Sequence, residues 1–430
     1  MKTSMITEAH PTAGPGGTLV RALLRIEGEV PEHTRRVPLN LSLVLDRSGS
    51  MSGGKLEAVK EAAWGLIRRL HPQDVVSVVA FDDRVDTVAH PGTAGDQGGL
   101  EAALMAMRPG ATTNLSGGWL QGRALLQEHF DAEGVNRVIL LTDGLANVGV
   151  TDRDTLTRLA AQARESGVGT TTVGVGAGFD EELLVAMADA GGGSHYYIER
   201  LDQAGGVFEE EIEGLLGIAA QNLTVTIRPR EAVAVAAVHH GYPSHTGADG
   251  SLRLEVGDLY AREPREVLAD FLVPKGSKPE GAAPDAPSDA PVADLVVEGD
   301  VWAADGSVDR RRITLARTWS PEAGAVTHSE VERVFLLLQA ARARQEAVER
   351  GDRGDLGGAA RSLRDTAARL EEASNEDDLT VREEVEDLYR VAESLEAEAD
   401  FQSQDRKYLR SKSVHYSRSR RSAGDRSRRK

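Results

Sequence analysis

Residues 41–51 read LSLVLDRSGSM. The apolar run from Leu41 to Leu45 has the character of a buried strand. It leads into Asp46, Ser48 and Ser50, on alternate residues. At the end of a parallel-sheet strand, that alternation aims one carboxylate and two hydroxyls toward one small volume. Three hard oxygen donors in one place suit a hard divalent cation such as Mg²⁺.

The Asp-x-Ser-x-Ser spacing resembles the metal-ion-dependent adhesion site of von Willebrand factor A (VWA) domains. Two later stretches carry the resemblance further, in the family's order. Residues 109–115, PGATTNL, look like the loop that brings a metal-binding Thr; Thr113, directly before Asn114-Leu115, takes that role, with Thr112 as the alternative. Residues 138–144, VILLTDG, look like the next core strand, ending in a second carboxylate, Asp143. Helix-capping Ser and Asp at strand-to-helix turns would account for any one of these residues but poorly for the set. Carried over by position, the resemblance implies that Ser48 and Ser50 contact the ion, Thr113 does so conditionally, and Asp46 and Asp143 act through water. Mg²⁺ is the implied ion, with Mn²⁺ or Ca²⁺ admitted. The family leaves one coordination position open for an Asp or Glu of a partner protein. It also switches between open and closed arrangements through its last helix, here residues 202–217.

The 430 residues suggest two or three domains. Hydrophobic residues make up 40% but aromatics only 4%, so cores of Val, Leu, Ala and Ile are expected. The absence of cysteine removes disulfides and thiolate metal sites, and suits a reducing compartment. The N-terminal residues have no signal-peptide character, and no run reaches the roughly 18 apolar residues of a membrane helix. These features point to a cytoplasmic protein. Residues 405–430 hold eleven Lys or Arg against two Asp, in a chain whose net charge is −18. A basic tail on an acidic body invites self-association or an anionic partner.

Residues 1–16 are expected to be disordered, and 17–37 to hold a strand that joins a distant β-sandwich. Over 38–219, strands alternate with helices. This pattern implies an α/β fold, a doubly wound, mostly parallel sheet of Rossmann-like VWA type, with ligands at the carboxyl ends of its strands. Short alternating segments over 220–325 read as the sandwich into which the VWA domain is inserted. Its Pro/Ala/Asp-rich stretch 274–291 is expected to be a disordered loop. Residues 326–402 have helical spacing punctuated by Gly351, Gly354 and Ser374-Asn375, giving a bundle of three helices. The basic Ser/Arg-rich tail, 403–430, is expected to be disordered.

Competing readings are weaker. Gly49-x-x-x-x-Gly54-Lys55 matches most of a phosphate-binding loop, but Leu56 stands where Ser or Thr should bind Mg²⁺. Asp46 ends a strand as in aspartate phosphatases, but Ser48 cannot supply the acid those enzymes need two residues later. His239, His240 and His245 are better read as loop or edge residues than as metal ligands, because adjacent strand residues face opposite ways. The leading expectation is a non-catalytic, metal-dependent binder of another protein, a scaffold or regulatory adaptor. One alternative is a nucleic-acid-associated protein using the tail; the other is a subunit that partners an AAA+ ATPase.

Overall fold

The structure, a computed structural model, describes residues 1–11, 17–28, 36–176, 178–199, 203–230, 232–261, 263–274, 290–302, 307–319, 327–373, 378–397 and 403–417. The chain forms two compact units. One draws on residues 1–29, 223–299 and 311–426; the other on residues 30–222 and 300–310. The chain therefore leaves the first unit after its opening hairpin and returns about 190 residues later.

That hairpin pairs β1 (Lys2–Pro11) with β2 (Thr18–Glu27), Lys2 opposite Glu27 and Pro11 opposite Thr18. The expectation of disorder over residues 1–16 is corrected here for 2–11; residues 12–16 lie outside the described set. The error has a physical source. β1 is a half-exposed edge strand with few apolar residues, so its sequence carries little hydrophobic signal. Its place is secured by long-range partners such as Glu8, which accepts a bond from Arg21 Nη1 at 3.1 Å.

The second unit runs β3 (Leu39–Asp46), α1 (Lys55–Ile67), β4 (Val75–Phe81), β5 (Val85–Thr93), α2 (Gln97–Met105), α3 (Leu115–Glu128), β6 (Val135–Thr142), α4 (Arg153–Glu165), β7 (Val168–Val175), α5 (Glu181–Ala190), β8 (Gly192–Ile198) and α6 (Ala204–Leu216). Its six-stranded sheet has the order β5-β4-β3-β6-β7-β8. All pairs are parallel except β4–β5. Every residue of β3, β6 and β7 is buried, as a sheet covered on both faces requires. On one face Val44, Val79, Val138 and Leu140 pack with Leu115, Trp119, Leu126, Leu156 and Leu184 of α3, α4 and α5. Gly122 lets α3 approach β3; a Cβ there would meet Val44 Cγ2 at 2.4 Å. From β3 the chain builds one half of the sheet through β4 and the other through β6. The crevice between β3 and β6, at their carboxyl ends, is the topological switch point where such sheets bind ligands.

The chain then forms β9 (Ile218–Pro229), β10 (Ala234–Val238), β11 (Ser244–Thr246), β12 (Leu252–Tyr260), β13 (Arg265–Val273), β14 (Ala290–Trp302) and β15 (Val308–Trp319). These make two sheets, β1-β2-β13-β10 and β11-β12-β9-β14-β15. β2 pairs antiparallel with β13 along its length, Arg21 opposite Asp270. Arg21 donates to both Asp270 oxygens, at 2.8 and 3.1 Å. The expected loop at 274–291 lies largely outside the described residues.

Four helices follow among the described residues: α7 (Ser329–Asp352), α8 (Leu356–Ala373) and α9 (Leu379–Ala397), the three expected over 326–402, and then α10 (Ser403–Ser417). α7 bridges the sheet and the bundle. Its Val331, Val334 and Leu338 pack on Leu23 and Leu268, and its Phe335 ring lies 3.6 Å beneath the Arg21 guanidinium. α10 corrects the expectation of a disordered tail over 403–417; residues 418–430 lie outside the described set. Ser/Arg composition masks one buried contact point per turn or so. Leu409 has no exposure, Lys407 and Ser413 are buried, and Ser413 Oγ donates to Ala341 O of α7 at 2.8 Å. Tyr408 donates to Asp387 Oδ1 at 2.6 Å, and Arg344, buried within the bundle, donates to Asp387 Oδ2 at 2.6 Å and to Glu384. Burial works to raise the Asp387 carboxyl, but Arg344 and Tyr408 outweigh it and hold it below the usual range.

Two outcomes follow from these placements. Leu409→Ala should lower unfolding free energy by about 2–5 kcal/mol, as for other fully buried leucines, measured by urea denaturation. The His240 ring is buried and its Nδ1 accepts from Leu268 N at 3.0 Å, a role only the unprotonated ring can play. Burial pushes its pKa down to about 3. The unfolded chain binds that proton near pH 6.5, so His240 favours folding fully above about pH 6.5 and progressively less as pH falls toward 3. Between pH 7 and 5 the wild type should lose about 2 kcal/mol more than His240→Asn, whose Oδ1 can still accept the bond. Equal losses in paired urea titrations would contradict it.

Candidate metal centre

Asp46 is the last residue of β3 and has no solvent exposure. Its Oδ1 accepts from Ser48 N at 2.7 Å, which turns the chain sharply out of the strand. A single 3₁₀ turn, Gly49–Met51, follows. The turn is tied to the neighbouring loop by backbone bonds: Gly49 N donates to Ala111 O at 2.8 Å, and Gly110 N to Arg47 O at 2.7 Å. Gly110 is required at that crossing, because a Cβ would fall 1.6 Å from Asp82 Oδ2. Asp82 in turn holds the α3 side of the loop through its carbonyl, which accepts from Asn114 N at 2.7 Å.

These ties bring the sequence-predicted residues together. Ser48 Oγ and Ser50 Oγ lie 3.0 Å apart, and Ser50 Oγ donates to Asp143 Oδ1 at 2.5 Å. Asp143 directly follows β6. Thr113 is buried, and its N–H donates to Asn147 Oδ1 at 2.9 Å. Thr112, the alternative, is exposed. Gly144 marks the space these residues surround. A Cβ there would lie 3.2 Å from Thr113 Oγ1 and 3.8 Å from both Asp46 Oδ2 and Ser50 Oγ. Oxygens from three separate loops thus lie around one small volume; Ser50 and Leu145, which follows Gly144 in the chain, are exposed.

Two residues of the cluster had no role in the metal-site reading, although Lys55 appeared in the phosphate-loop alternative. Thr142 Oγ1 donates to Asp46 Oδ2 at 2.5 Å, so the last residue of β6 pins the last residue of β3. Its adjacency to Asp143 at a strand end was the available signal. Lys55, at the start of α1, places Nζ 2.6 Å from Asp143 Oδ2.

The two carboxylates call for positive charge, which Lys55 supplies at Asp143. Burial pushes the Asp46 carboxyl up; its bonds from Thr142 and Ser48 pull it back, and the charge of Asp143 adds to the rise. Two buried carboxylates side by side are costly without compensating positive charge. Among the described residues no group of three or more His, Cys, Asp or Glu gathers to hold a metal. The donors here are hydroxyl and carboxylate oxygens alone, a set that fits Mg²⁺ or Mn²⁺ and not a soft metal.

The von Willebrand factor type A domain profile matches residues 40–209. An uncharacterized protein of Synechocystis sp. is 30% identical over 235 residues, 54% of this chain and 55% of that protein. The uncharacterized protein YfbK of Escherichia coli is 31% identical over 193 residues, 44% of this chain and 33% of that protein. The chain thus spans less than two thirds of either relative. A solved structure described as von Willebrand factor type A from Catenulispora acidiphila covers 98% of this chain and 97% of its own, at 18% identity and a TM-score of 0.73, so it shares the fold. Sheet order, the loops at the switch point and the matched profile agree: residues 40–209 of this chain are a von Willebrand factor type A domain.

Proposed function

We propose that the VWA domain is a non-catalytic protein-binding module whose grip depends on a divalent ion of Mg²⁺ type. Ser48, Ser50 and Thr113 would hold the ion, with Asp46 and Asp143 beside it. When bound, the ion supplies an electrophilic position that takes an Asp or Glu carboxylate of a partner protein. The observation that carries this reading is the convergence of Thr113 Oγ1, Asp46 Oδ2 and Ser50 Oγ on the space beside Gly144. Ser50 is exposed, and Leu145, which follows Gly144 in the chain, is 57% exposed and would offer a partner an apolar contact.

Four amides of the 46–52 loop are already committed to acceptors of the protein, which leaves fewer for a phosphate cradle. Such a cradle points free N–H groups at its ligand. Here Ser48 N donates to Asp46 Oδ1, Gly49 N to Ala111 O, Met51 N to Ser48 O and Ser52 N to Gly49 O. The tail reading also weakens. Lys407 is buried and Tyr408 bonds to Asp387, so neither is presented to a nucleic acid. Among the described residues no helix is long and apolar enough to cross a membrane.

Isothermal calorimetry with Mn²⁺ tests the site. The wild type should bind, and Asp46→Ala and Ser48→Ala should each lose at least about tenfold in affinity while keeping a cooperative melt; a tenfold loss is about 1.4 kcal/mol. Unchanged affinity in both folded variants would refute the metal assignment. Partners captured with Mg²⁺ and released by EDTA, but not by salt, then identify the carboxylate donor.

A further inference from the structure

Lys55 is the first residue of α1, where the helix dipole disfavours a cation, although Glu57 in the same turn complements the dipole. Its ammonium has a partner outside the helix, Asp143. The Asp143 side chain is 1% exposed, and the Lys55 side chain that reaches it is 42% exposed. The two Asp143 oxygens are divided between Ser50 Oγ, at 2.5 Å, and Lys55 Nζ, at 2.6 Å. The lysine stem therefore enters from solvent and sets its ammonium against the buried carboxylate.

We propose that Lys55 is a tethered stand-in cation: it neutralises Asp143 when no divalent ion is bound, and a divalent ion must displace it. The inference rests on the metal-binding reading above. A buried carboxylate left unpaired destabilises the fold, so an ion-binding site that must also survive empty needs a replaceable positive charge. A lysine serves this better than an arginine fork, because a compact ammonium on a flexible four-carbon stem can leave without disturbing a bidentate geometry. The half-exposed stem gives the ammonium water to move into. Lys55 thus sets the ion affinity of the site by competing for Asp143, and it holds the ion-free domain together.

Mn²⁺ titration of the full chain, followed by calorimetry and by thermal melting with and without Mn²⁺, tests the proposal in wild type, Lys55→Met, Lys55→Gln and Lys55→Arg. Removing the competitor should tighten Mn²⁺ binding about tenfold in Lys55→Met, whereas Lys55→Arg keeps a cation that leaves less readily and should bind Mn²⁺ no more tightly than the wild type. Ion-free Lys55→Met should melt below the wild type, and Mn²⁺ should raise its melting temperature by more. Lys55→Gln, which can donate a neutral bond to Asp143, carries the same expectation of tighter binding if the Met variant does not fold. Wild-type binding with equal or weaker affinity in both neutral variants overturns the role of Lys55 alone. No Mn²⁺ binding by any of the four proteins overturns the metal reading and this proposal together.

Discussion

The site is organised around a carboxylate with no access to water. Asp46 sits at the end of a fully buried strand, where an ionised group is tolerated only if its oxygens are bonded. The two bonds it receives define the local architecture. Ser48 N on Oδ1 folds the chain back over the strand end, and Thr142 Oγ1 on Oδ2 locks β3 to β6 at the switch point. Once those are set, the 3₁₀ turn can deliver Ser50 to Asp143, and the 109–114 loop can be stitched alongside. Removing that anchor would loosen three loops at once, because each is held to the next by one or two bonds.

The VWA domain was legible because its signals are local and doubled. Leu41–Leu45 and Val138–Leu141 are apolar on both faces, and this marks central parallel strands. The Ser and Asp residues that follow them lie where strand alternation or a short turn sends them to the same crevice. Thr113 could be told from Thr112 only by resemblance; the fold separates them by burying one and exposing the other.

Elements held by distant partners were the ones misread. β1 carries Thr, Ser, Glu and His, and its order comes from pairing with β2 and from Glu8 meeting Arg21. α10 looks like a solvated basic tail until Leu409, Tyr408 and Ser413 are set against α7 and α9. No window of sequence contains both halves of such contacts. Thr142, and the contact of Lys55 with Asp143, escaped for a related reason. Each is an ordinary residue for its element, a strand-end threonine and a helix lysine, and only the carboxylate opposite gives it a task.

The split of one unit around the other has a consequence for biosynthesis. Arg21 and Asp270 are 249 residues apart. At about 5–20 residues per second, the ribosome releases the β1–β2 hairpin about 10–50 s before β13 exists to pair with it. Meanwhile the whole VWA domain emerges, with all the strands of its own sheet in one continuous stretch, and can close by itself. The nascent chain therefore spends that interval with a finished domain next to a hairpin whose β2 edge is unpaired, an edge of the kind that recruits other strands. Arg21 and Arg25, two like charges on that strand, are the groups that later meet Asp270 and Glu266. Until β13 arrives, Asp270 and Glu266 do not exist, and of the partners that the mature sheet gives Arg21 only Glu8 of β1 has been made.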